Sequence, residues 1–541
     1  MKMRSSLENK HFDVIVIGGG INGVAIAREC ARAGRTTLLV EQHDFAAGTT
    51  SRSTRIIHGG LRYLEHGDIG QVRESLRERR WLLQRHPHLV HPLRFLLALD
   101  GNSRRSALAV RTGLWLYRRL GSTSLRGNDF EAEEKKLERL LDAGKRFSVF
   151  NFDDAQCEFP ERLVAEWLVE AVAAGATARN HTEVLAVNTD KGRATGALLR
   201  DQFSGKEERV EAIWIINATG PWADNICRSS NIRTRNPMVG GVRGSHIVLP
   251  TFPGAPDAAV YTEAIDGRPI FVIPWNEQVL VGTTEVADSS DPGAVRPSVE
   301  EIDYLLRSLR HLFPTMRASR DDIHYAFAGV RPLPYSPKNS PSDVTRKHYF
   351  HDHAGEGAAQ MLSVIGGKLT TAGSLARECA AKIGAEISAP TLTFASETGA
   401  DVAMEHWGLE VAERGGLTSE AAHGIAEWYG KRALAVADQA RASAEMRAPL
   451  CPHTHHIVAE AADALSNEYA CTLADILLRR VPVALGGCWS SSCSREAATR
   501  IGAVMAWNED RVALELEAFE QERDRFLRNV SQARSIAEVK A

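Results

Sequence analysis

One short segment, residues 14–27, constrains the fold of this chain more than any other. Its first four residues, Val-Ile-Val-Ile, are apolar and β-branched, which is typical of a strand buried on both faces. Gly18, Gly20 and Gly23 follow with the G-x-G-x-x-G spacing of a strand-to-helix turn. The first glycine permits the tight turn, the second lets a diphosphate approach the backbone, and the third lets helix and strand pack closely. Because a helix N-terminus has unpaired N–H groups that favour anions, the segment predicts a dinucleotide-binding site.

An acidic residue supports this interpretation. Residues 37–40 predict a second strand, and Glu41 stands at its end, 23 positions after Gly18. A carboxylate at this point can hold the two hydroxyl groups of a ribose. The alternative is an ordinary glycine-rich turn between a strand and a helix, and the context disfavours it.

The composition sets the broad class of protein. A chain of 541 residues is expected to fold as two to four domains, each with its own core. Its net charge of −3 gives no general basic footprint for nucleic acid. Its eight cysteines form no C-x-x-C pair, which predicts reduced thiols in a cytoplasm-facing protein. The charged first 13 residues do not resemble a signal peptide, and no apolar run is long enough to predict a membrane span.

A hydroxyl-rich stretch and a His-Gly-Gly motif follow the second predicted strand. Residues 48–64 read GTTSRSTRIIHGGLRYL, and their hydroxyl groups suit a loop that lies along a diphosphate and a ring edge. Together with the glycine turn, this stretch closely resembles the FAD-dependent glycerol-3-phosphate dehydrogenase family, within the D-amino-acid-oxidase-like flavoproteins. Further motifs occur in the order of that family at residues 218–224 (ATGPWAD), 329–333 (GVRPL) and 366–371 (GGKLTT).

The resemblance implies a fold, a cofactor and the residues that bind it. The expected fold is an α/β FAD-binding domain, Rossmann-like and of the glutathione-reductase or D-amino-acid-oxidase type, with an inserted α+β substrate domain and a C-terminal all-α cap domain. The residues expected to bind FAD are Gly18, Gly20, Gly23, Glu41, Thr50, Ser51, Ser53, Thr54, His58, Gly59, Val184, Ala218, Gly220, Gly367, Lys368, Leu369 and Thr370. No metal site is expected, because the spacing of Cys451, His453, His455 and His456 fits no usual ligand pair.

The resemblance also implies a reaction, the oxidation of sn-glycerol 3-phosphate to dihydroxyacetone phosphate, with electrons passed from FAD to a membrane quinone. A phosphomonoester carries close to two negative charges, so several converging cations are expected to bind it. The residues expected to bind the substrate are Arg62, Asp266, Arg331, Arg346 and Lys368. A base must take the proton of the 2-hydroxyl group, and His246 and His58 are both chemically suited to this role. Arg331 is expected to stabilise the developing alkoxide.

The domain boundaries are predicted from changes in pattern along the chain. The predicted parts are a discontinuous FAD-binding domain (residues 12–70, 150–238 and 326–388), a helical insertion (71–149), an α+β substrate domain (239–325), a linker (389–404) and a helical domain (405–541). In the last of these, Ser494 is predicted to cap one long helix that runs through Ala518.

The segment 86–120, within the predicted insertion, predicts contact with a membrane surface. It contains six arginines and a single acidic residue, Asp100, interleaved with apolar groups such as Phe95 and Trp115. Basic groups beside Trp and Leu, without spanning length, are typical of a segment that lies in a membrane interface. The alternative is a surface helix whose arginines are solvated. The protein is thus expected to be peripheral, at the cytoplasmic face of the membrane, and association as a homodimer stays open.

Two other functions stay open on the sequence alone. A soluble oxidase of the same family would pass its electrons to oxygen, and a non-catalytic flavin-binding protein would pass none. Amine oxidation is disfavoured, because four cations suit a phosphate dianion better than a carboxylate.

Overall fold

The structure is a computed structural model that describes residues 5–101, 103, 105–121, 130–252, 255, 257–336, 344–385, 400–526 and 530. Within its helices, the side chains of residues 62, 65, 66, 130 and 400–406 are outside that description. The side chain of the predicted ligand Arg62, and most of the predicted linker at 389–404, therefore lie outside the described residues.

Within these ranges the chain forms 17 strands and 15 helices, joined by short 3-10 turns. The strands are β1 (Lys10–Ile17), β2 (Thr37–Val40), β3 (Ile56–Ile57), β4 (His91–Asp100), β5 (Phe147–Gln156), β6 (Thr177–Arg179), β7 (Thr182–Asp190), β8 (Arg193–Asp201), β9 (Glu207–Asn217), β10 (Val242–Pro250), β11 (Ala259–Glu263), β12 (Pro269–Trp275), β13 (Gln278–Gly282), β14 (Val286–Ala287), β15 (Tyr325–Arg331), β16 (Tyr349–Asp352) and β17 (Met361–Ile365). The helices are α1 (Ile21–Arg32), α2 (Ile69–Arg85), α3 (Ala107–Gly121), α4 (Phe130–Leu140), α5 (Pro160–Ala173), α6 (Ala223–Ser229), α7 (Val299–Leu312), α8 (Ala372–Lys382), α9 (Ala400–Gly415), α10 (Ser419–Tyr429), α11 (Ala433–Ala440), α12 (Val458–Asn467), α13 (Leu473–Asp475, continued by a π-helical turn over Ile476–Arg480), α14 (Ser491–Val504) and α15 (Glu509–Arg523).

The first sheet carries the predicted dinucleotide-binding unit. Its strand order is β16-β17-β9-β1-β2-β6, with β8 also paired to β9 and β7 paired to β8. β1 runs parallel to β2 on one side and to β9 on the other. Its apolar residues Val14–Ile17 are buried, as a central parallel strand requires. α1, α5 and α8 pack together in the same hydrophobic cluster as this strand.

The turn between β1 and α1 shows why glycine is needed there. Gly18 has a φ angle of +106°, in the left-handed region that favours glycine. A Cβ atom on Gly23 would overlap the carbonyl oxygen of Gly18, so only glycine lets α1 pack this closely on the strand. No side chain caps α1 at Gly20, which leaves N–H groups of its first turn for a ligand.

The second sheet has nine strands in the order β14-β10-β13-β12-β11-β4-β5-β3, with β15 also paired to β10. Its neighbouring strands are antiparallel except β11 and β4. α7 begins at a capping box formed by Ser298 and Glu301, as its sequence predicts, and buries its apolar face in the cluster of this sheet.

The segment 71–149 is not the helical insertion expected from the sequence. β4 lies between α2 and α3 and joins the second sheet, where Phe95, Leu96 and Leu97 are buried between β5 and β11. The prediction is wrong for this strand, because periodicity does not separate a short buried strand from other apolar segments. The other domain boundaries stay predictions.

The C-terminal region is helical, as expected, but one of its helices was predicted too long. The segment from Ser494 through Ala518 is two helices, α14 and α15, capped by Ser490 and Asn508. Asn508 is followed by two acidic residues, which is a usual sign of a helix start, and this sign marks the second helix in the sequence.

Buried ion pairs attach this helical region to the first sheet. Asp44, just after β2, accepts hydrogen bonds from Arg479 at 2.5 Å and from Arg480 at 2.7 Å. His181, just before β7, lies 2.9 Å from a carboxylate oxygen of Asp475. The C-terminal helices therefore hold two loops that follow or precede strands of the first sheet.

Candidate active site

A cavity of about 380 Å³ lies between the glycine turn, the end of β2 and the loop after β9. Residues 48–53 and β15 form its other side. Many of the predicted cofactor residues line it, namely Gly18, Gly20, Glu41, Thr50, Ser53, Val184, Ala218, Gly220, Gly367, Lys368 and Leu369. The fold thus brings together motifs that are far apart in the sequence, in a cavity of the size that binds small molecules.

Glu41 lies where β2 ends and holds the glycine turn in place. Its Oε2 accepts a hydrogen bond of 2.6 Å from the N–H of Gly19, and its Oε1 accepts one of 2.9 Å from the N–H of His43. Burial raises the pKa of Glu41 above its usual range, while these two N–H groups favour the ionised form. A sugar hydroxyl at this end of the cavity would meet a hydrogen-bond acceptor.

The hydroxyl-rich loop stabilises the wall of the cavity from within. Thr50 Oγ1 accepts a hydrogen bond of 3.1 Å from the N–H of Ile21, at the start of α1. Thr49 Oγ1 donates one of 2.8 Å to the carbonyl of Val330 in β15. Ser51 is buried and donates to a carbonyl of its own loop, so its hydroxyl group is used in the fold of that loop.

His246 in β10 is buried beside the cavity wall formed by β15. Its Nε2 shares a hydrogen bond of 2.9 Å with Thr54 Oγ1, and its ring stacks on Phe327 with centroids 4.9 Å apart. Its Nδ1 is buried and has no hydrogen-bond partner among the described residues. Burial, followed by the charges of Arg331 and Arg55, lowers the pKa of His246 to about 3, so the ring is neutral at physiological pH.

His58 also has a neutral ring, in a more cationic environment. Burial, followed by the charges of Lys368 and Arg346, lowers the pKa of His58 to about 3. Its backbone N–H donates to Thr370 Oγ1 at 3.1 Å, which ties the His-Gly-Gly motif to the Gly-Gly-Lys motif. His58 and Lys368 both lie beside the Tyr63 ring, with the His58 ring centre 6.4 Å and Lys368 Nζ 4.0 Å from its centre.

Three of the four predicted cations have described side chains, and each has a different partner. Arg331 Nη2 donates to Thr283 Oγ1 at 2.9 Å. Arg346 forms an ion pair with the buried carboxylate of Glu285 at 2.5 Å. Arg331 and Arg346 therefore contact the same short segment after β13.

Lys368 differs from the other cations, because its hydrogen-bond partners within the described residues are neutral. Its Nζ lies 3.1 Å from Gln71 Oε1, 3.3 Å from Ser75 Oγ and 4.0 Å from the centre of the Tyr63 ring. Burial is the largest cause that lowers the pKa of Lys368, to about 7, and the charge of Arg346 lowers it further. A partly buried ammonium group with such partners favours the arrival of an anion.

The structure gives other predicted residues a structural role. Gly59 donates its N–H to Asp154 at 3.1 Å, and a Cβ atom there would overlap Tyr117. Asp266 is partly exposed and bonded to Arg268 and Tyr304. It does not line the cavity described above, although Arg268 donates to the carbonyl of Glu285, the partner of Arg346.

Two residues that line the cavity, Arg52 and Asn22, are not among the site residues predicted from the sequence. Arg52 and Asn22 have buried polar atoms, Nε and Oδ1 respectively, without a partner among the described residues. Arg52 lies over the Phe526 ring at 4.1 Å, and a Cβ atom on Gly329 would contact its side chain. No local sequence pattern marks either residue as part of the site. Asn22 is a single polar residue in a glycine turn, and Arg52 is a single arginine in a hydroxyl-rich loop, and both patterns are typical of solvated side chains.

Comparison with protein families gives two matches that together cover most of the chain. The model described as FAD dependent oxidoreductase matches residues 13–372. The model described as C-terminal domain of alpha-glycerophosphate oxidase matches residues 383–512.

Individual relatives agree with these matches. A glycerol-3-phosphate dehydrogenase of Synechocystis sp. is 35% identical over 510 residues, which cover 90% of this chain and 91% of that protein. A D-erythritol 1-phosphate dehydrogenase of Brucella abortus is 37% identical over 373 residues, which cover 67% of this chain and 72% of that protein. The structure of glycerol-3-phosphate dehydrogenase from Bacillus halodurans complexed with FAD has a TM-score of 0.75 and 24% identity, with 96% of each chain covered.

These findings confirm the predicted fold class and the predicted cofactor, FAD. The residues present fit that cofactor. A Cβ atom on Gly18 would lie 2.7 Å from the carbonyl oxygen of Ala218, so only glycine fits this tight turn beside the loop after β9. Arg52 Nε and Asn22 Oδ1, which have no partner in the described part of the chain, are then available to a polar ligand.

Proposed function

Because this chain belongs to the family of FAD-dependent glycerol-3-phosphate dehydrogenases, we propose that it oxidises sn-glycerol 3-phosphate to dihydroxyacetone phosphate. Bound FAD supplies the acceptor for the hydride that leaves carbon 2 of the substrate. The observation that carries the proposal is the neutral His246, which has a neighbouring Arg331 and a ring nitrogen without a partner among the described residues. Lys368, whose hydrogen-bond partners among those residues are neutral, adds a cation suited to an anionic group.

The phosphate is proposed to bind at Lys368 and Arg346. Lys368 is supported by its neutral partners Gln71 and Ser75, because a phosphate would provide the negative charge that they lack. Arg346 is held by Glu285, which fixes the guanidinium group and leaves other N–H groups for the ligand. Arg62 is proposed as a third phosphate ligand on the basis of the family resemblance alone, because its side chain lies outside the described residues.

The proton of the 2-hydroxyl group is proposed to go to His246. The hydrogen bond with Thr54 fixes the ring and involves Nε2, so Nδ1 is the atom proposed to receive the proton. Arg331 is proposed to stabilise the negative charge that develops on the hydroxyl oxygen, and its bond to Thr283 orients it. A bound phosphate dianion would offset nearby positive charge and raise the basicity of the imidazole.

Anaerobic reduction of the bound flavin tests this function directly. We expect sn-glycerol 3-phosphate to bleach the flavin absorption band, and glycerol without phosphate to leave it unchanged at the same concentration. D-erythritol 1-phosphate is the third substrate to compare, because the Brucella abortus relative is named for it. If none of the phosphorylated polyols reduces the flavin, the proposal is wrong and a non-catalytic flavin-binding role remains.

The electrons are proposed to pass to a membrane quinone, and α3 is proposed to contact the membrane surface. α3 buries Val110, Leu114 and Tyr117 against the protein. On its other face it exposes 74% of Leu108 and 60% of Trp115, and Arg119 lies 5.8 Å from the Trp115 ring. Apolar side chains beside arginines on one exposed face suit an anionic lipid surface. Among the described helices, none combines the length and apolar character needed to cross a bilayer.

Flotation with anionic liposomes tests this contact. We expect the double variant Leu108→Glu, Trp115→Glu to lose flotation, because it removes both exposed apolar side chains from the proposed contact. Since both side chains are exposed, the substitutions should leave the fold intact. Leu514→Glu is the matched control, since Leu514 is a similarly exposed leucine on another helix. Unchanged flotation of the double variant would exclude α3 as the contact. Comparison of turnover with a quinone analogue and with oxygen then distinguishes a dehydrogenase from an oxidase that releases peroxide.

A further inference from the structure

Three cysteines and one histidine meet in the C-terminal helical region, away from the proposed catalytic residues. Cys451 Sγ, His453 Nδ1 and Cys493 Sγ all lie within 4.8 Å of one another. Cys488 adjoins them, with its Sγ 4.0 Å from the carbonyl oxygen of His453. Cys451 and His453 precede α12 in the chain. Cys488 lies in the loop before α14, and Cys493 lies in the first turn of α14.

We propose that Cys451, His453, Cys488 and Cys493 bind one structural zinc ion. Three thiolates and one imidazole form a complete ligand set for tetrahedral zinc. Binding requires the three thiols to lose their protons to solvent as the metal–sulfur bonds form, with no change in oxidation state.

The distances in the cluster suit such an ion. Zinc–sulfur bonds of about 2.3 Å and zinc–nitrogen bonds of about 2.0 Å place neighbouring tetrahedral ligands about 3.5 to 3.8 Å apart. His453 Nδ1 lies 3.4 Å from Cys493 Sγ. The side chain of Cys488 is exposed, so its rotamer is not fixed by packing, and Cys488 is the residue proposed for the fourth position.

A hydrogen-bond donor beside one of the sulfur atoms supports the same conclusion. Ser490 Oγ donates a hydrogen bond of 3.4 Å to Cys493 Sγ. Donors of this kind stabilise thiolates, and partners of the ligands orient them for a metal. All eight cysteines of the chain are free thiols in the structure, so no disulfide competes for these sulfur atoms.

The position of the cluster indicates what the ion would do. The carbonyl of Leu485, three residues before Cys488, accepts hydrogen bonds from Gln278 Nε2 and Tyr325 Oη, both at 2.9 Å. These donors belong to β13 and β15 of the second sheet. Zinc at the cluster would therefore fix the loop through which the helical region contacts that sheet.

The sequence prediction of no metal depended on spacing within residues 451–456. The structure adds Cys488, from the loop before α14, and Cys493, from the first turn of α14, both more than thirty positions later. Ligands from separate elements leave no local motif, so spacing alone does not detect such a site.

Metal analysis of the flavin-loaded protein tests the proposal. We purify the full chain in reducing buffer without added metal and measure zinc by mass spectrometry. We expect about one zinc ion per chain, as for other structural sites. Absence of zinc from the wild type would overturn the proposal, and so would a Cys451–Cys493 disulfide found by peptide mapping of protein purified without reductant.

Single substitutions then locate the ion. We expect Cys451→Ser and Cys493→Ser to lower the zinc content at least about tenfold. His453→Asn is the variant to use if these buried substitutions prevent folding, because its side chain is exposed. Cys471→Ser is the matched control, since a serine can keep the hydrogen bonds of Cys471 to Asn180 and Tyr469. Zinc lost from this control but kept in Cys493→Ser would place the ion elsewhere and overturn the proposal.

Cobalt provides a second readout that does not depend on enzyme activity. Cobalt bound by thiolates absorbs in the red, beyond the flavin band. We expect these bands in cobalt-loaded wild type and not in cobalt-loaded His453→Asn or Cys493→Ser. Equal bands in all three proteins would contradict the ligand assignment.

Discussion

His246 and Thr54 form the pair on which the proposed proton transfer depends. Replacement of His246 by Asn removes the atom proposed to receive the proton, so we expect kcat to fall by about 10²- to 10⁴-fold with unchanged flavin content. Stopped-flow measurement of flavin reduction checks this. His58→Asn is the comparison, because His58 is the other histidine suited to act as the base and burial lowers its pKa to about 3 as well. If this variant loses as much activity as His246→Asn, the choice of His246 as the base is wrong.

Lys368 makes the affinity for substrate dependent on pH. Burial lowers its pKa to about 7, so the side chain is charged below that pH and neutral above it. We therefore expect kcat/KM for glycerol 3-phosphate to fall as the pH rises through about 7, because the cation that binds the phosphate is lost. Lys368→Arg should remove this decrease, since arginine stays charged. The same profile in Lys368→Arg as in the wild type would exclude this group, and Lys347→Arg, at an exposed lysine, should change nothing.

Single residues of the site could be predicted in type but not always in role. Lys368 and Arg331 were found because each stands in a recognisable motif. Thr54 was expected on the cofactor, yet its hydroxyl group is bonded to His246, almost two hundred positions away. The contact between Thr54 and His246 depends on how β10 packs against the loop after β2, and no local sequence pattern predicts that packing.

At the scale of elements, the close approach of β13 to β10 holds the His246 ring in place. Gly282 pairs with His246 across these strands, and a Cβ atom there would overlap the imidazole. We expect Gly282→Ala to displace the ring and reduce kcat at least about tenfold, with flavin retained. Turnover and flavin absorbance of the purified variant check this. Gly355→Ala is the control, because a Cβ atom there meets open space, and equal activity in the two variants would contradict the prediction.

Strands with local signals were predictable, and strands defined by distant partners were not. β10, β12 and β13 have strong apolar patterns and turns, and α7 has its capping box. β4 pairs with β5 and β11, which follow it by many tens of residues. Since its burial depends on those partners, its apolar run alone did not distinguish it from an interfacial segment.

At the scale of the whole molecule, Asp44 joins the first sheet to the C-terminal helices. Its carboxylate is fully buried and bonded to Arg479 and Arg480. Asp44→Asn removes the negative charge and leaves two buried arginines less compensated, so we expect a loss of about 3–5 kcal/mol in the free energy of unfolding. Urea denaturation followed by circular dichroism measures this. Asp438→Asn, at the exposed pair with Arg414, should leave the unfolding midpoint unchanged, and equal effects of the two substitutions would contradict the prediction.

The family and its fold could be predicted from motifs, but the attachment of the helical region could not. In the sequence, Asp44 and the pair Arg479–Arg480 have the appearance of ordinary surface charges. Their burial results from packing between segments more than four hundred positions apart. Hydrophobic patterns identify elements, whereas pairs of this kind are visible only once the elements are assembled.

The attachment of the helical region to the first sheet also affects when the cofactor cavity is completed during synthesis of the chain. Glu41 and Asp44 stand on one loop, and the neighbouring loop, which is hydrogen-bonded to it, carries His181 just before the cavity residue Val184. Both loops are anchored by residues 475–480, which the ribosome makes long after either loop. A nascent chain thus carries an unanchored coenzyme pocket until this segment is made, so lasting retention of the flavin is expected only after that point.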